Sequence, residues 1–279
     1  MISIGIKFSV LMSVYKNDNP EYFRIALHSI YHEQTLKPDQ VVVVADGDLT
    51  PAQMSILSSF SESISSEIVT FVQLPHNVGL AAALNEGLKY CHYEHVARMD
   101  SDDISLPFRF EKQIVYMFEN PHVDVCGALI DEIDTDTGAY ISTRRVPLSH
   151  NEIKLFARKR SAVSHPSVVF KKSKVLAVGG YPLFRKSQDF ALWSLLLVND
   201  AIFANLDEVL LKMRTGSDLM SRRGVSYLKY EYQVMSFQRE IGFITLGEFI
   251  KYATIRTFFR ILPGTVKKML YAIVRKKSG

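Results

Sequence analysis

Apolar runs rich in β-branched residues alternate with helical spacings through the first 130 residues. Residues 8–15 read as a strand, and 21–34 follow with Phe23, Ala26, Leu27, Ile30 and Tyr31 on one helical stripe. A continuous apolar run at 41–45 predicts a strand buried on both faces, and Thr50-Pro51 is an N-cap followed by a first-turn proline. Residues 68–74 predict a third strand. Leu80, Ala83, Leu84, Gly87 and Leu88 restore the helical spacing before a fourth strand at 95–99. Pro107 opens a helix bearing Phe110, Ile114, Met117 and Phe118, and 123–130 reads as a strand again. This order predicts an α/β fold, with a mostly parallel sheet covered by helices on both faces. Ligands of such sheets lie beyond the carboxyl ends of the strands.

The alternation loosens after about residue 131. A turn-rich stretch, Asp134 to Gly138, is followed by Arg144 and Arg145, a basic helix at 151–160, and His165-Pro166 before an apolar strand at 168–170. Residues 187–199 predict a helix with Trp193 and leucines on its buried face, and beyond Gly224 the pattern is helical to residue 279, broken at Pro263-Gly264.

Composition narrows the class. With 279 residues, 47% hydrophobic and 22% charged, the chain can form one large core or two smaller ones, which excludes wholesale disorder. Cys91 and Cys126 match no CxxC pattern, so a disulfide scaffold or zinc ribbon is not expected. The first seven residues are too short for a signal peptide, and the longest charge-free apolar run, 190–199, is about half a membrane span. A cytoplasmic-type chain is expected. Charge is uneven: Lys251, Arg256, Arg260, Lys267, Lys268, Arg275, Lys276 and Lys277 against Glu248 give 8 − 1 = +7 from residue 246 onward. The whole chain is +4, which leaves 4 − 7 = −3 for residues 1–245, an asymmetry that calls for a partner.

Candidate chemistry gathers at predicted strand ends. Asp100-Ser101-Asp102-Asp103 follows the fourth strand directly. It reads either as a solvated turn or helix cap, or as a hard-oxygen site for Mg²⁺ or Mn²⁺ that also contacts phosphate. A second acidic set, Asp131, Glu132, Asp134 and Asp136, carries turn chemistry and is expected at a hairpin tip. Asp46-Gly47 ends the second strand, where the aspartate meets a nucleobase or ribose or caps a turn; Asn77-Val78-Gly79 precedes a helix. Neither Gly-x-Gly-x-x-Gly nor Gly-Lys-Ser/Thr occurs, so dinucleotide and P-loop readings lose their support.

Taken together, these residues resemble family 2 glycosyltransferases of the GT-A (Rossmann-like) fold. The resemblance rests on Ser13-Val14-Tyr15, Asp46-Gly47, Asn77-x-Gly79 with Leu84-Asn85, and Arg98-Met-Asp100-Ser-Asp102-Asp103 with Pro107 and Arg109. His165-Pro166-Ser167, Gly179-Gly180-Tyr181 and Asp189-x-x-x-Trp193 extend it over residues 7–225, in the manner of bacterial enzymes that extend lipid-linked O-antigen, capsule or exopolysaccharide repeats. It implies a nucleotide-sugar and acceptor-binding catalytic domain at 1–225, a basic membrane-associating segment at 226–279, and a UDP-sugar donor. Ser13, Tyr15, Asp46, Asn77, Gly79, Arg98, Asp100, Arg222 and Arg223 would bind that donor, with Asp46 on uracil or ribose. Asp102 with Asp100 would hold Mn²⁺ or Mg²⁺, with Asp103 as a helper. Asp189 matches the base of inverting members. Gln188 stands where the family usually has Glu, and no histidine occurs around 213–223, which leaves Arg214, Arg222 and Arg223 as the cations there.

By the same resemblance the acceptor is a saccharide on undecaprenyl diphosphate, of the GlcNAc type, and the product bond β-1,3. His165, Gln188 and Trp193 are acceptor candidates, although a hydrogen-bonded structural His165 and a core Trp193 remain open, as does a solvated Arg144–Arg145 pair. In the tail Val266, Met269, Leu270, Ile273 and Val274 form an apolar stripe flanked by basic residues, suited to an anionic membrane surface. A peripheral enzyme on the cytoplasmic face of the bacterial inner membrane is therefore expected. A nucleotidyltransferase would need a glycine-rich loop with a lysine, which residues 9–19 lack. A non-catalytic membrane- or nucleic-acid-binding protein would leave the aspartates unexplained, so nucleic acid is not an expected partner.

Overall fold

The computed structural model describes residues 5–216 and 227–261. The chain divides into two compact units, 1–216 and 217–279. The first unit alternates as the sequence pattern requires: β1 (Phe8–Val14), α1 (Pro20–Tyr31), β2 (Gln40–Ala45), α2 (Pro51–Ile64), β3 (Val69–Gln73), α3 (Leu80–Tyr90) and β4 (His95–Asp100). After the short β5 (Ile104–Ser105) come α4 (Arg109–Glu119), β6 (Val125–Asp134), β7 (Tyr140–Arg144) and α5 (His150–Ala157). A 3-10 turn at His165–Ser167, β8 (Val169–Lys171), α6 (Lys172–Ala177), α7 (Gln188–Val198) and β9 (Phe203–Thr215) complete it.

The sheet runs β3-β2-β1-β4-β8-β6-β9-β5, with β7 on β6. Its first four strands are parallel, whereas β8 is antiparallel to both β4 and β6. Strand alternation divides the core. Phe8, Val10, Met12, Val14, Val41 and Val43 pack on α1, α2 and α4 through Phe23, Leu27, Leu57, Phe60, Phe110 and Ile114. Leu11 and Val44 face α3 instead, where a Cβ on Gly87 would lie 2.5 Å from Leu11 and 2.6 Å from Val44. Each such fully buried side chain contributes roughly 1.5–3 kcal/mol, and the aligned strand ends inherit that rigidity. Thr50 and Gln53 form a capping box for α2, as Thr50-Pro51 predicted.

The second half departs from the expected pattern. β9 is a 13-residue strand paired in parallel with β6, with register shifts near Leu129. The expected hairpin tip is present: β6 and β7 flank it, Gly138 has φ +69°, and Asp134 Oδ1 accepts from Asp136 N and Thr137 N. Cys91 and Cys126 are separate buried thiols. The second unit contributes α8 (Leu228–Glu240) and α9 (Leu246–Ile261), with a turn at Gly242 (φ +75°) that the helical pattern did not reveal. The apolar stripe at 266–274 lies outside the described residues.

Candidate functional site

Strand register assembles the site. Ser13 pairs with Asp100 across β1 and β4, and Val14 pairs with Ala45, so Tyr15 and Asp46 emerge together at the same sheet edge. A cleft of about 400 Å³ opens there, lined by Ser13, Tyr15, Asp18, Asp46, Asn77, Gly79, Leu80, Asp100, Ser101, Asp102, Arg185 and Lys186. Six of the expected donor residues and the expected metal ligand Asp102 thus share one cavity. Asp189 is not on its lining, but it is near enough to Arg98 and Asp100 to feel their charges.

Asp46 braces the loop before α3. Its two carboxylate oxygens accept from Val78 N (2.6 Å) and Gly79 N (3.0 Å), and Asn77 Nδ2 donates to its carbonyl at 3.3 Å. Gly47 permits this approach: at φ +86° its Cβ would stand 2.9 Å from Asn77 N.

The carboxylates of Asp100, Asp102 and Asp103 each present an oxygen within 4.8 Å of the others. Such crowding raises the proton affinities of Asp102 and Asp103. Protein crowding and the charges of Asp100 and Asp18 push Asp102 up to about 6, although its side chain reaches solvent. Burial, with Asp100 and Asp102 adding to it, holds Asp103 well above the ordinary range. Asp103 Oδ1 accepts from Arg214 N at 2.9 Å, while its Oδ2 is buried with no hydrogen-bond partner. Hard oxygens and an orphaned acceptor among mutually repelling carboxylates fit a divalent cation.

Asp18 joins this group without having been anticipated. It accepts from Tyr15 N (3.1 Å) and Ser101 Oγ (2.7 Å), and burial raises its carboxyl against both bonds. Its only sequence signal was position, four residues beyond β1's carboxyl end.

Arg98 is buried away from the cleft, and His165 and Trp193 follow the structural alternatives left open for them. Arg98 is 1% exposed and makes a two-bond pair with Asp100, so it positions that carboxylate and cannot reach a ligand directly. Trp193, also 1% exposed, packs edge-on to His165 and Phe203 and offers no ring face to a sugar. His165 is buried against Tyr181 Oη (3.0 Å), and burial with the Arg98 charge holds it well below its ordinary value, hence neutral. Gln188 is buried as well. These residues form the underside of the site, tied to α3 by Asn85, whose amide accepts from Tyr181 N (2.7 Å) and donates to Tyr181 O (2.9 Å). A side chain on Gly180 would place its Cβ 2.5 Å from Asn85 Oδ1.

Asp189 sits half-buried in the first turn of α7, and burial raises its carboxyl, as suits a proton acceptor. Arg214 stacks on Tyr22 with 4.2 Å from guanidinium to ring centroid. Arg144 pairs with Glu132 and Arg145 with Asp207, so both arginines are engaged on the surface. Arg222 and Arg223 lie outside the described residues.

The sequence pattern described as Glycosyl transferase family 2 matches residues 9–177. The chain is 39% identical over 275 residues to the amylovoran biosynthesis glycosyltransferase AmsE of Erwinia amylovora, covering 96% of this chain and 99% of that one. It is 34% identical to the UDP-Gal:alpha-D-GlcNAc-diphosphoundecaprenol beta-1,3-galactosyltransferase of Escherichia coli, over 97% of each. Among solved structures it is similar to the mannosyltransferase PcManGT of Pyrobaculum calidifontis, in complex with GDP-Man and Mn²⁺. The TM-score is 0.66 at 15% identity, covering 98% of this chain and 75% of that one, a likeness of fold.

Proposed function

The chain belongs to glycosyl transferase family 2 and has the GT-A fold; from that premise we propose that it transfers a hexose from UDP-galactose or UDP-glucose to a sugar on a lipid diphosphate. The bond formed is β-1,3 and the setting is assembly of a bacterial surface polysaccharide. The observation that carries this reading is the cleft at the parallel strand ends, with Asp100 and Asp102 of the carboxylate cluster on its lining and the raised carboxyl of Asp189 within electrostatic reach of Asp100. The donor and acceptor classes are taken from the Escherichia coli relative, similar over 97% of each chain.

In this mechanism Tyr15, Asn77 and the loop held by Asp46 receive the nucleoside. Asp102 and Asp100, with Asp103 as a helper, would hold Mn²⁺ or Mg²⁺. A divalent cation bound there would supply positive charge against the departing diphosphate. Arg98 fixes the Asp100 carboxylate in place. Asp189 takes the proton of the acceptor hydroxyl as it attacks from the face opposite the leaving group, and a single displacement turns an α-linked donor into a β-linked product. Arg222 and Arg223 are assigned to the diphosphate on the resemblance alone.

Full-length enzyme with either UDP-hexose and a GlcNAc-α-diphosphate-alkyl acceptor is expected to give a β-1,3 disaccharide, identified by NMR. Chelation is expected to stop transfer, and added Mn²⁺ or Mg²⁺ to restore it. An α-linked product, or transfer undiminished by chelator, would refute the mechanism.

No helix of the described residues is long and apolar enough to cross a membrane. Two of the eight tail cations, Arg256 and Arg260, pair with Glu231 of α8 at 3.1 and 2.9 Å. The exposed face of α9 supports peripheral attachment: Leu246, Ile250 and Phe258 lie on one stripe, 54%, 56% and 62% exposed, beside Lys251. A side chain of this kind gains roughly 1.5–3 kcal/mol on full burial, so changing all three to Glu should weaken sedimentation with anionic vesicles at least tenfold. Unaltered sedimentation would show that α9 does not contact lipid.

A further inference from the structure

We propose that Arg185 and Lys186 clamp the acceptor's diphosphate, so that the enzyme reads the anion carrying the acceptor sugar as well as the sugar itself. This rests on the lipid-diphosphate acceptor proposed above. Both residues are exposed and share the lining of the cleft with Asp18, Asp46, Asp100 and Asp102. Neither side chain makes an ion pair or hydrogen bond among the described residues, although four carboxylates line the same cavity. Two unengaged cations beside those carboxylates are arranged for an anion that enters between them.

Position in the chain selects which anion. Arg185 and Lys186 stand four and three residues before Asp189, joined to α7 through Ser187, whose left-handed backbone (φ 59°) turns the chain into the helix. The donor diphosphate would find its counter-charge in the divalent cation that the carboxylate cluster after β4 would hold. In an inverting displacement the base lies opposite that leaving group, so cations on the base's own loop stand on the acceptor side. Four residues reach at most about 14 Å, which lets one loop meet both ends of a single hexose, the attacking hydroxyl at Asp189 and the anomeric diphosphate at the two cations.

The test compares two acceptors of equal alkyl length, GlcNAc-α-diphosphate-alkyl and GlcNAc-α-O-alkyl, with the full-length enzyme and the Arg185→Ala/Lys186→Ala variant. The wild type is expected to favour the diphosphate acceptor in kcat/KM, and the variant to lose at least tenfold of that preference through acceptor KM. Donor KM should not move with it. Arg185→Lys with Lys186 intact should retain most of the preference. A tenfold rise in donor KM with the preference intact would assign the cations to the donor and overturn the proposal. Equal losses on both acceptors, or equal use of both by the wild type, would overturn it too. A wild type that transfers to neither acceptor refutes the acceptor class and the clamp together, whereas an active wild type with an unchanged variant refutes the clamp alone.

Discussion

Replacing Asp189 by asparagine should lower kcat by about 10²–10⁴-fold and leave UDP affinity within about twofold, because a general base contributes to the chemical step and not to nucleotide binding. Asparagine keeps the shape of the side chain, so the first turn of α7 and the packing of Trp193 beneath it should persist. The pH profile gives a second readout. Burial raises the Asp189 carboxyl above 3.8, and the ionised form is the active one. Transfer by the wild type should therefore decline on the acid side at a pH above 3.8. Measured at saturating metal, the residual rate of the variant should lack that limb. A variant within tenfold of wild type, with the limb intact, would remove Asp189 from the mechanism.

The parallel half of the sheet was legible because β1, β2 and β4 are buried along most of their length and rich in apolar residues. Gln40 to Ala45 is buried at every position, and Phe23, Leu27 and Ile30 announce α1 by spacing alone. β9 was not legible: Asn205, Asp207, Glu208, Lys212 and Arg214 interrupt its apolar character, and its pairing with β6 is shifted in register near Leu129. Nor could local pattern reveal that the short β8 slots antiparallel between β4 and β6, since that pairing joins segments far apart in the chain. At the site, strand-end position was enough to bring Asp46, Asp100 and Asp102 to one cleft. Burial was not readable from motifs, so Arg98 read as a donor contact although it is buried against Asp100, and the structural alternatives left open for His165 and Trp193 are the ones their burial favours. Alternation held the missing clue for Arg98. In a strand, positions 98 and 100 share a face, and an arginine two residues before an aspartate there is a ready-made pair.

That pair governs the second large effect. Arg98 is 1% exposed, and its guanidinium feels Asp100 and Asp103 while acting in turn on Asp189 and His165. Arg98→Met fits the cavity roughly but leaves Asp100 facing Asp102 and Asp103 with no cation. Removing one partner of a buried ion pair costs about 3–5 kcal/mol. The Asp100 side chain retains 33% exposure, so water relieves part of the strain and the low end of that range applies. For a unit of this size each kcal/mol is about 2–4 °C, so melting should fall by roughly 6–12 °C in metal-free protein. Adding Asp100→Asn to Arg98→Met removes the uncompensated charge and should recover more than half of the loss, a coupling that a double-mutant cycle isolates. Activity should not return, since Asp100 itself is gone. Strictly additive melting shifts would mean that the two side chains do not support one another and that Arg98 earns its buried position in some other way.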